Sequence, residues 1–173
     1  KNDTYCKHML ALAIYVVQDG KPLTDNDKKL VQNPACSGKL GTLSEGELSA
    51  IKQTITSALR YIKAYTGPSR TWFDYQNSLS EGCNRLSAIV SDLPVSIQTA
   101  ELLVDLLLRL DKKLCTGGVD DSDGEVGGFI EEVVSVLQEF TKLDQSCANA
   151  FDKLKNRETC FGWEKPLLTS TKD

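Results

Sequence analysis

The sequence predicts an all-α fold: a single-domain, disulfide-stapled antiparallel bundle of about five to six helices over residues 1–173. Apolar residues recur at three- and four-residue steps in several long segments, which is typical of helices that bury one face. Residues 102–110, with the sequence LLVDLLLRL, are apolar on nearly every side, as expected for a helix surrounded by other elements. Six cysteines, an even number, are spread along the chain and favour structural disulfides.

The composition limits the classes of function. A length of 173 residues fits one domain with a sizeable core. The net charge of −4 gives no basic field that would attract nucleic acid, so we expect no nucleic-acid partner. No apolar run approaches the ~20 residues that a membrane-spanning helix needs, so we expect no membrane span. We expect a monomer.

The first two predicted helices form a hairpin. A helix over residues 4–19 ends at the Gly-Lys-Pro sequence of residues 20–22, and a short helix follows over residues 24–33. If the two helices are antiparallel, Cys6 and Cys36 lie at the same end. This arrangement favours a disulfide between them.

The third and fourth helices are separated by a sharp break. Ser44 and Glu47 have the spacing of a capping box, so a helix should begin there and run to about Tyr65. The Thr-Gly-Pro sequence of residues 66–68 ends it. A fourth helix is predicted over residues 69–92.

The central helix is predicted over residues 94–115. Residues 116–128 contain five glycines and four acidic residues, which predicts a mobile surface loop. The last long helix is predicted over residues 129–156. Residues 161–173 are predicted to form an irregular C-terminal tail, with Phe161 and Trp163 lying over the bundle.

The cysteine pattern indicates three disulfides rather than a metal site. The chain has no CxxC pair, and its single histidine is His8, so the closely spaced ligands of a zinc site are missing. Three disulfides imply an oxidising compartment, hence a secreted protein; the alternative is six free thiols in a cytosolic protein. The candidates are Cys6, Cys36, Cys83, Cys115, Cys147 and Cys160.

Two features of the N-terminus fit secretion. Asn2 begins an Asn-Asp-Thr sequon, which predicts glycosylation at Asn2. The chain starts at Lys1 without a signal-like segment, so we expect a signal peptide that has been removed.

No motif predicts an enzyme, a cofactor or a metal site. The chain lacks the sequence patterns of hydrolases, metalloproteases and nucleotide-binding enzymes, and a serine triad would have to use His8. In the acidic loop, Asp121 and Asp123 fit an EF-hand alignment. Val119 and Ile130 occupy its first and twelfth positions, where calcium needs oxygen ligands.

The aromatic residues Trp72, Phe73 and Tyr75 point to protein binding. Neighbouring helical residues differ by about 100° around the axis, so these three cannot all face inward, and Tyr75 is the one suggested to lie near the surface. In the alternative, Tyr61, Tyr65 and the C-terminal segment around Trp163 cover all three. An exposed aromatic side chain at a helix end is typical of protein interfaces. With the 116–128 loop, they form a predicted patch for another extracellular protein. The predicted function is that of a secreted, non-enzymatic inhibitor, ligand or receptor-binding factor.

The alternative function is transport of a small hydrophobic molecule. Helical bundles hold such molecules between helices, and the broad apolar faces of the first, central and last helices are suited to this. The predicted pocket residues are Leu103, Leu107, Val133 and Leu137.

Overall fold

The computed structural model describes residues 36–169, and over these residues the fold is all-α, as predicted, without a β-strand. One isolated bridge joins Leu40 to Val95. The predicted hairpin of residues 4–33 lies outside the described residues. The α-helices are α1 (Glu45–Ala58), α2 (Trp72–Asp92), α3 (Ile97–Cys115), α4 (Glu125–Leu143) and α5 (Lys165–Thr169). Two 3-10 helices cover Ser69–Thr71 and Gln145–Leu154.

Helix α3 is the predicted central helix. It packs against α4 and the Gln145–Leu154 helix, while α2 packs against α1 and α4. The side chains of Leu103, Val104 and Leu107 are completely buried, whereas Asp105 and Arg109 remain at the surface. The described residues belong to one compact unit. The single domain over residues 1–173 stays a prediction.

Two capping boxes set the starts of α1 and α3. The predicted one is present: the Ser44 amide donates to Glu47 Oε2 at 2.8 Å, and the Glu47 amide donates to Ser44 Oγ at 3.3 Å. A second box joins Ser96 and Thr99 in the same way, and both residues are buried. Because Ser96 is the cap, α3 begins at Ile97 rather than at the predicted residue 94.

Helix α1 ends at Ala58, earlier than the predicted Tyr65. Beyond Ala58, polar partners from other elements replace helical hydrogen bonds. The Lys113 ammonium of α3 donates to the Ile62 carbonyl at 2.6 Å, and the Tyr65 amide donates to the Gly118 carbonyl at 3.1 Å. The apolar spacing of the sequence continues past Ala58 because the apolar residues that follow are also buried, although they lie in a turn and not in a helix.

The second half of the chain differs from the prediction at three places. Helix α4 begins at Glu125, so the loop predicted over 116–128 ends at Gly124. The helix predicted to continue to residue 156 ends at Leu143, because Asp144 caps a new 3-10 helix through the Ser146 amide at 2.9 Å. The tail predicted as irregular contains α5, whose Leu167 is buried.

None of the helices described between residues 36 and 169 has both the length and the apolar character required to cross a membrane.

Candidate functional site: a groove between α4 and the C-terminal segment

The predicted aromatic patch is only partly exposed. Tyr75 is 7% exposed, and Trp72 is partly buried with its ring centroid 5.1 Å from that of Tyr65. Phe73 is 79% exposed. The sequence therefore predicted one outward-facing aromatic residue correctly, but the suggestion that it is Tyr75 was wrong.

Tyr75 connects α2 to the acidic loop. Its hydroxyl donates to the Lys63 carbonyl at 2.9 Å and accepts from the Asp120 amide at 2.9 Å. Burial is the main reason why the pKa of Tyr75 is raised above its ordinary value. The structure thus brings the predicted aromatic cluster and the loop together, through a structural hydrogen bond rather than through an open surface.

The residues predicted to line an internal pocket are fully buried. Leu103, Leu107, Val133 and Leu137 have no exposed surface, and they belong to the core cluster that α3 and α4 share. None of them lines any of four cavities of about 240 to 630 Å³ that open among the described residues.

One cysteine pair is placed for a disulfide. Cys115 and Cys160 have their Cα atoms 5.9 Å apart, within the usual range for a disulfide, and their sulfurs are bonded. Cys36, Cys83 and Cys147 carry free thiols. Cys83 and Cys147 lie near opposite ends of α4, so they do not pair with each other. The other expected disulfides, including the one between Cys6 and Cys36, stay a prediction. Cys6 lies outside the described residues.

The two buried thiols are held in their protonated form. Burial, with help from the Glu125 and Asp121 charges, raises the pKa of Cys83 to about 12. Burial and the Asp144 charge raise the pKa of Cys147 to about 11. Thiols of this kind are poor nucleophiles and poor metal ligands. His8 and Asn2 lie outside the described residues.

The acidic loop uses Asp121 to start α4. Both of its carboxylate oxygens accept backbone amides, from Val126 at 2.8 Å and from Gly127 at 2.8 Å. A carboxylate at this position stabilises the positive end of the helix dipole. Asp120 accepts from Ser122 within the loop. These carboxylates therefore have a structural explanation that needs no cation.

One cluster of potential metal ligands occurs among the described residues. Oxygen and sulfur atoms of Asp111, Cys115 and Cys160 lie within 4.8 Å of one another. The two sulfurs are bonded to each other, so they are not thiolate ligands. Asp111 Oδ1 already accepts from the Cys160 amide at 2.9 Å and from Trp163 Nε1 at 3.0 Å. The cluster therefore fixes the C-terminal segment to α3.

A groove of about 630 Å³, called here the α4 groove, lies beside that attachment. Its first wall belongs to α4 and consists of Gly127, Ile130, Glu131, Val134, Ser135 and Gln138. Its second wall belongs to the C-terminal segment and consists of Phe161, Gly162, Trp163 and Pro166. Asp121 and Gly124 complete the lining. From Gly127 to Gln138 the helical wall is about 16 Å long at 1.5 Å per residue.

The groove combines a fixed apolar floor with an exposed aromatic side chain. Ile130, Val134 and Trp163 are buried, whereas Phe161 is 75% exposed. The wall that carries Phe161 is attached to α3 at both Cys160 and Trp163. Because this wall is already fixed, a partner that binds its apolar surface loses little free energy to the ordering of side chains and backbone.

Sequence reasoning missed this groove. The sequence predicts that Phe161 and Trp163 lie over the bundle, but no local signal indicates that they lie beside α4. The available signal was Cys160, because a disulfide to the end of the central helix would have located this segment. The cysteine pairing could not be read from spacing alone.

Comparisons with protein-family models, curated proteins and solved structures found no match for this chain.

Proposed function

We propose that this chain is an extracellular, non-enzymatic binding protein that engages another protein through the α4 groove. The exposed Phe161 on a fixed wall is the observation that carries the proposal. Aromatic side chains beside a well-packed apolar floor contribute most of the binding energy in many protein interfaces. Phe73, the other exposed phenylalanine among residues 36–169, lines neither this groove nor the smaller cavity beside Tyr75.

The polar groups that line the groove favour binding over catalysis. Asp121 is engaged by two backbone amides, and the Ser135 hydroxyl donates to the Glu131 carbonyl at 3.0 Å. No nucleophile in this lining is paired with a base, which covalent catalysis requires. An extracellular location is supported by the Cys115–Cys160 pair, which is solvent-exposed and would be reduced in most cytosolic environments.

Site-specific photo-crosslinking tests the proposal. The chain is prepared with a photoreactive phenylalanine analogue at position 161 or, as a matched control, at position 73. Each is incubated with extracellular fluid of the source organism. We expect one protein species crosslinked from position 161, competed away by unlabelled wild-type chain but not by the Phe161→Ala chain.

Phe161→Ala is suited to this test because Phe161 is exposed, so its removal leaves the core intact. Equal crosslinking from positions 161 and 73, or equal competition by the wild-type and Phe161→Ala chains, would contradict the proposal. Crosslinking from position 73 alone would transfer the docking surface to the end of α2.

A further inference from the structure

The charge around the α4 groove indicates what kind of segment it accepts. Between Lys113 and Lys142 the chain has no basic residue, although this stretch contains many acidic ones. They are Asp120, Asp121, Asp123, Glu125, Glu131, Glu132 and Glu139. The stretch includes the whole helical wall of the groove and the loop at its end.

These charges are mostly uncompensated. Of this set, Glu139 alone forms an ion pair within residues 36–169, with Lys142 at 2.6 Å. Glu132 accepts from Ser87 on α2, on the side of α4 away from the groove. Glu131 lies in the groove wall, exposed, and its carboxylate has no hydrogen-bond or ion-pair partner among residues 36–169. A cation, Lys165, lies near Gly162 on the opposite wall. The α4 wall of the groove is therefore negatively charged, and no basic residue of α4 next to the groove neutralises it.

We infer that the occupant is a cationic amphipathic segment of the partner protein. Its apolar side chains would lie on Ile130, Val134 and Phe161, and its Lys or Arg side chains would lie along Glu131 and the acidic loop. A wall of about 16 Å matches about three turns of a helix. Opposite charge at the rim raises association rates and selects partners, while the apolar floor supplies affinity. This inference rests on the proposed function and specifies its partner.

A designed peptide pair tests the inference. The probe is a fluorescent amphipathic peptide of about four helical turns built from Leu and Lys, and its counterpart replaces every Lys with Glu. We expect the Leu/Lys peptide to bind the whole chain at least tenfold more tightly than the Leu/Glu peptide, measured by fluorescence anisotropy. Its affinity should fall as salt is added, because the rim charges are exposed.

A matched pair of charge reversals separates the groove from general attraction. Glu131→Lys changes the groove wall, whereas Glu101→Lys makes the same change in net charge at an exposed position of α3 that is not part of the groove. We expect Glu131→Lys to weaken the Leu/Lys peptide three- to tenfold, as is usual for exposed charges, and Glu101→Lys to weaken it less than twofold. Glu131→Gln should give a smaller loss than Glu131→Lys.

The outcomes distinguish this inference from the proposed function. Equal losses for Glu131→Lys and Glu101→Lys, equal binding of the two peptides, or no binding of the Leu/Lys peptide would each overturn the cationic occupant. Even then, the protein-binding function stands if crosslinking from position 161 still captures a partner and the Phe161→Ala chain fails to compete for it. If that crosslink is lost, the protein-binding function and the cationic occupant are both contradicted.

Discussion

At the scale of single residues, Cys83 and Cys147 show how burial changes chemistry. Cys83 packs in the core, with its sulfur 3.7 Å from the Glu125 carbonyl oxygen, and acidic groups at the start of α4 add to the cost of a negative charge there. Cys147 is completely buried. The thiolate form is disfavoured at both positions, so the folded protein binds protons that the unfolded chain releases.

This difference makes folding stability dependent on pH in the alkaline range. A thiol titrates near 9 in the unfolded chain, while the pKa of Cys83 is about 12 in the folded protein. Its contribution to stability is therefore complete below pH 9 and is lost as the pH rises towards 12. We expect wild type to lose roughly 1–2 kcal/mol more than Cys83→Ala between about pH 8 and about pH 10.5.

Urea unfolding of the two proteins at both pH values measures the difference. Tyrosine and lysine side chains also titrate in this range, but they are common to both proteins and cancel in the comparison. The same pH slope in wild type and Cys83→Ala would show that Cys83 is not the group responsible.

At the scale of secondary-structure elements, Gly82 determines how closely α2 packs on the turn that follows α1. A Cβ placed on Gly82 would lie 2.9 Å from Ile62 Cγ1 and 3.0 Å from Tyr61 Cβ. It would also lie 3.3 Å from the Ala58 carbonyl oxygen, which is backbone and cannot move as a side chain does. The glycine therefore weakens α2 as a helix but permits its contact with this turn.

The balance of these two effects gives a prediction. Gly82→Ala gains about 1 kcal/mol of helix propensity but overpacks the core, which typically costs about 1–3 kcal/mol, so we expect a net loss of stability. Gly128→Ala is the matched control, because it lies in α4 and its Cβ would meet nothing within 4 Å. It should stabilise by up to about 1 kcal/mol. Opposite shifts of the melting temperature are expected in the two variants; a rise in both would show that α2 can move away.

The sequence predicted the elements better than their ends. The start of α1 and the burial of α3 follow from local signals, namely a capping box and an apolar segment of helical length. Helix α2 begins at Trp72 rather than at the predicted residue 69, because Ser69–Thr71 form a 3-10 helix. The end of α1 depends on Lys113 and Gly118, which are more than fifty residues away in the chain. The end of the predicted last helix was missed although Asp144 is a good cap, because the apolar spacing continues through the 3-10 helix.

At the scale of the whole molecule, the candidate site exists because the chain returns to its central helix. Local signals predicted that Phe73 or a neighbour would be exposed, but the α4 groove needs residues 161–166 to lie beside α4. That placement depends on contacts of Asp111 and Cys115 with a segment 45 or more residues later. Periodicity carries no information about such contacts, so the groove could not be predicted from the sequence.

The same contacts give a prediction for the Cys115–Cys160 disulfide. It closes a loop over a sequence separation of 45 residues, and the chain-entropy model gives about 4 kcal/mol for a loop of this length. We expect Cys115→Ser with Cys160→Ser to lower the free energy of unfolding by about 2–4 kcal/mol under non-reducing conditions. Trp163 fluorescence should report a looser C-terminal segment. Cys36→Ser, which removes no cross-link within residues 36–169, should change stability by less than about 0.5 kcal/mol. If the double variant were as stable as Cys36→Ser, the cross-link would not be contributing to the fold, and the Asp111 hydrogen bonds alone would hold the wall of the groove.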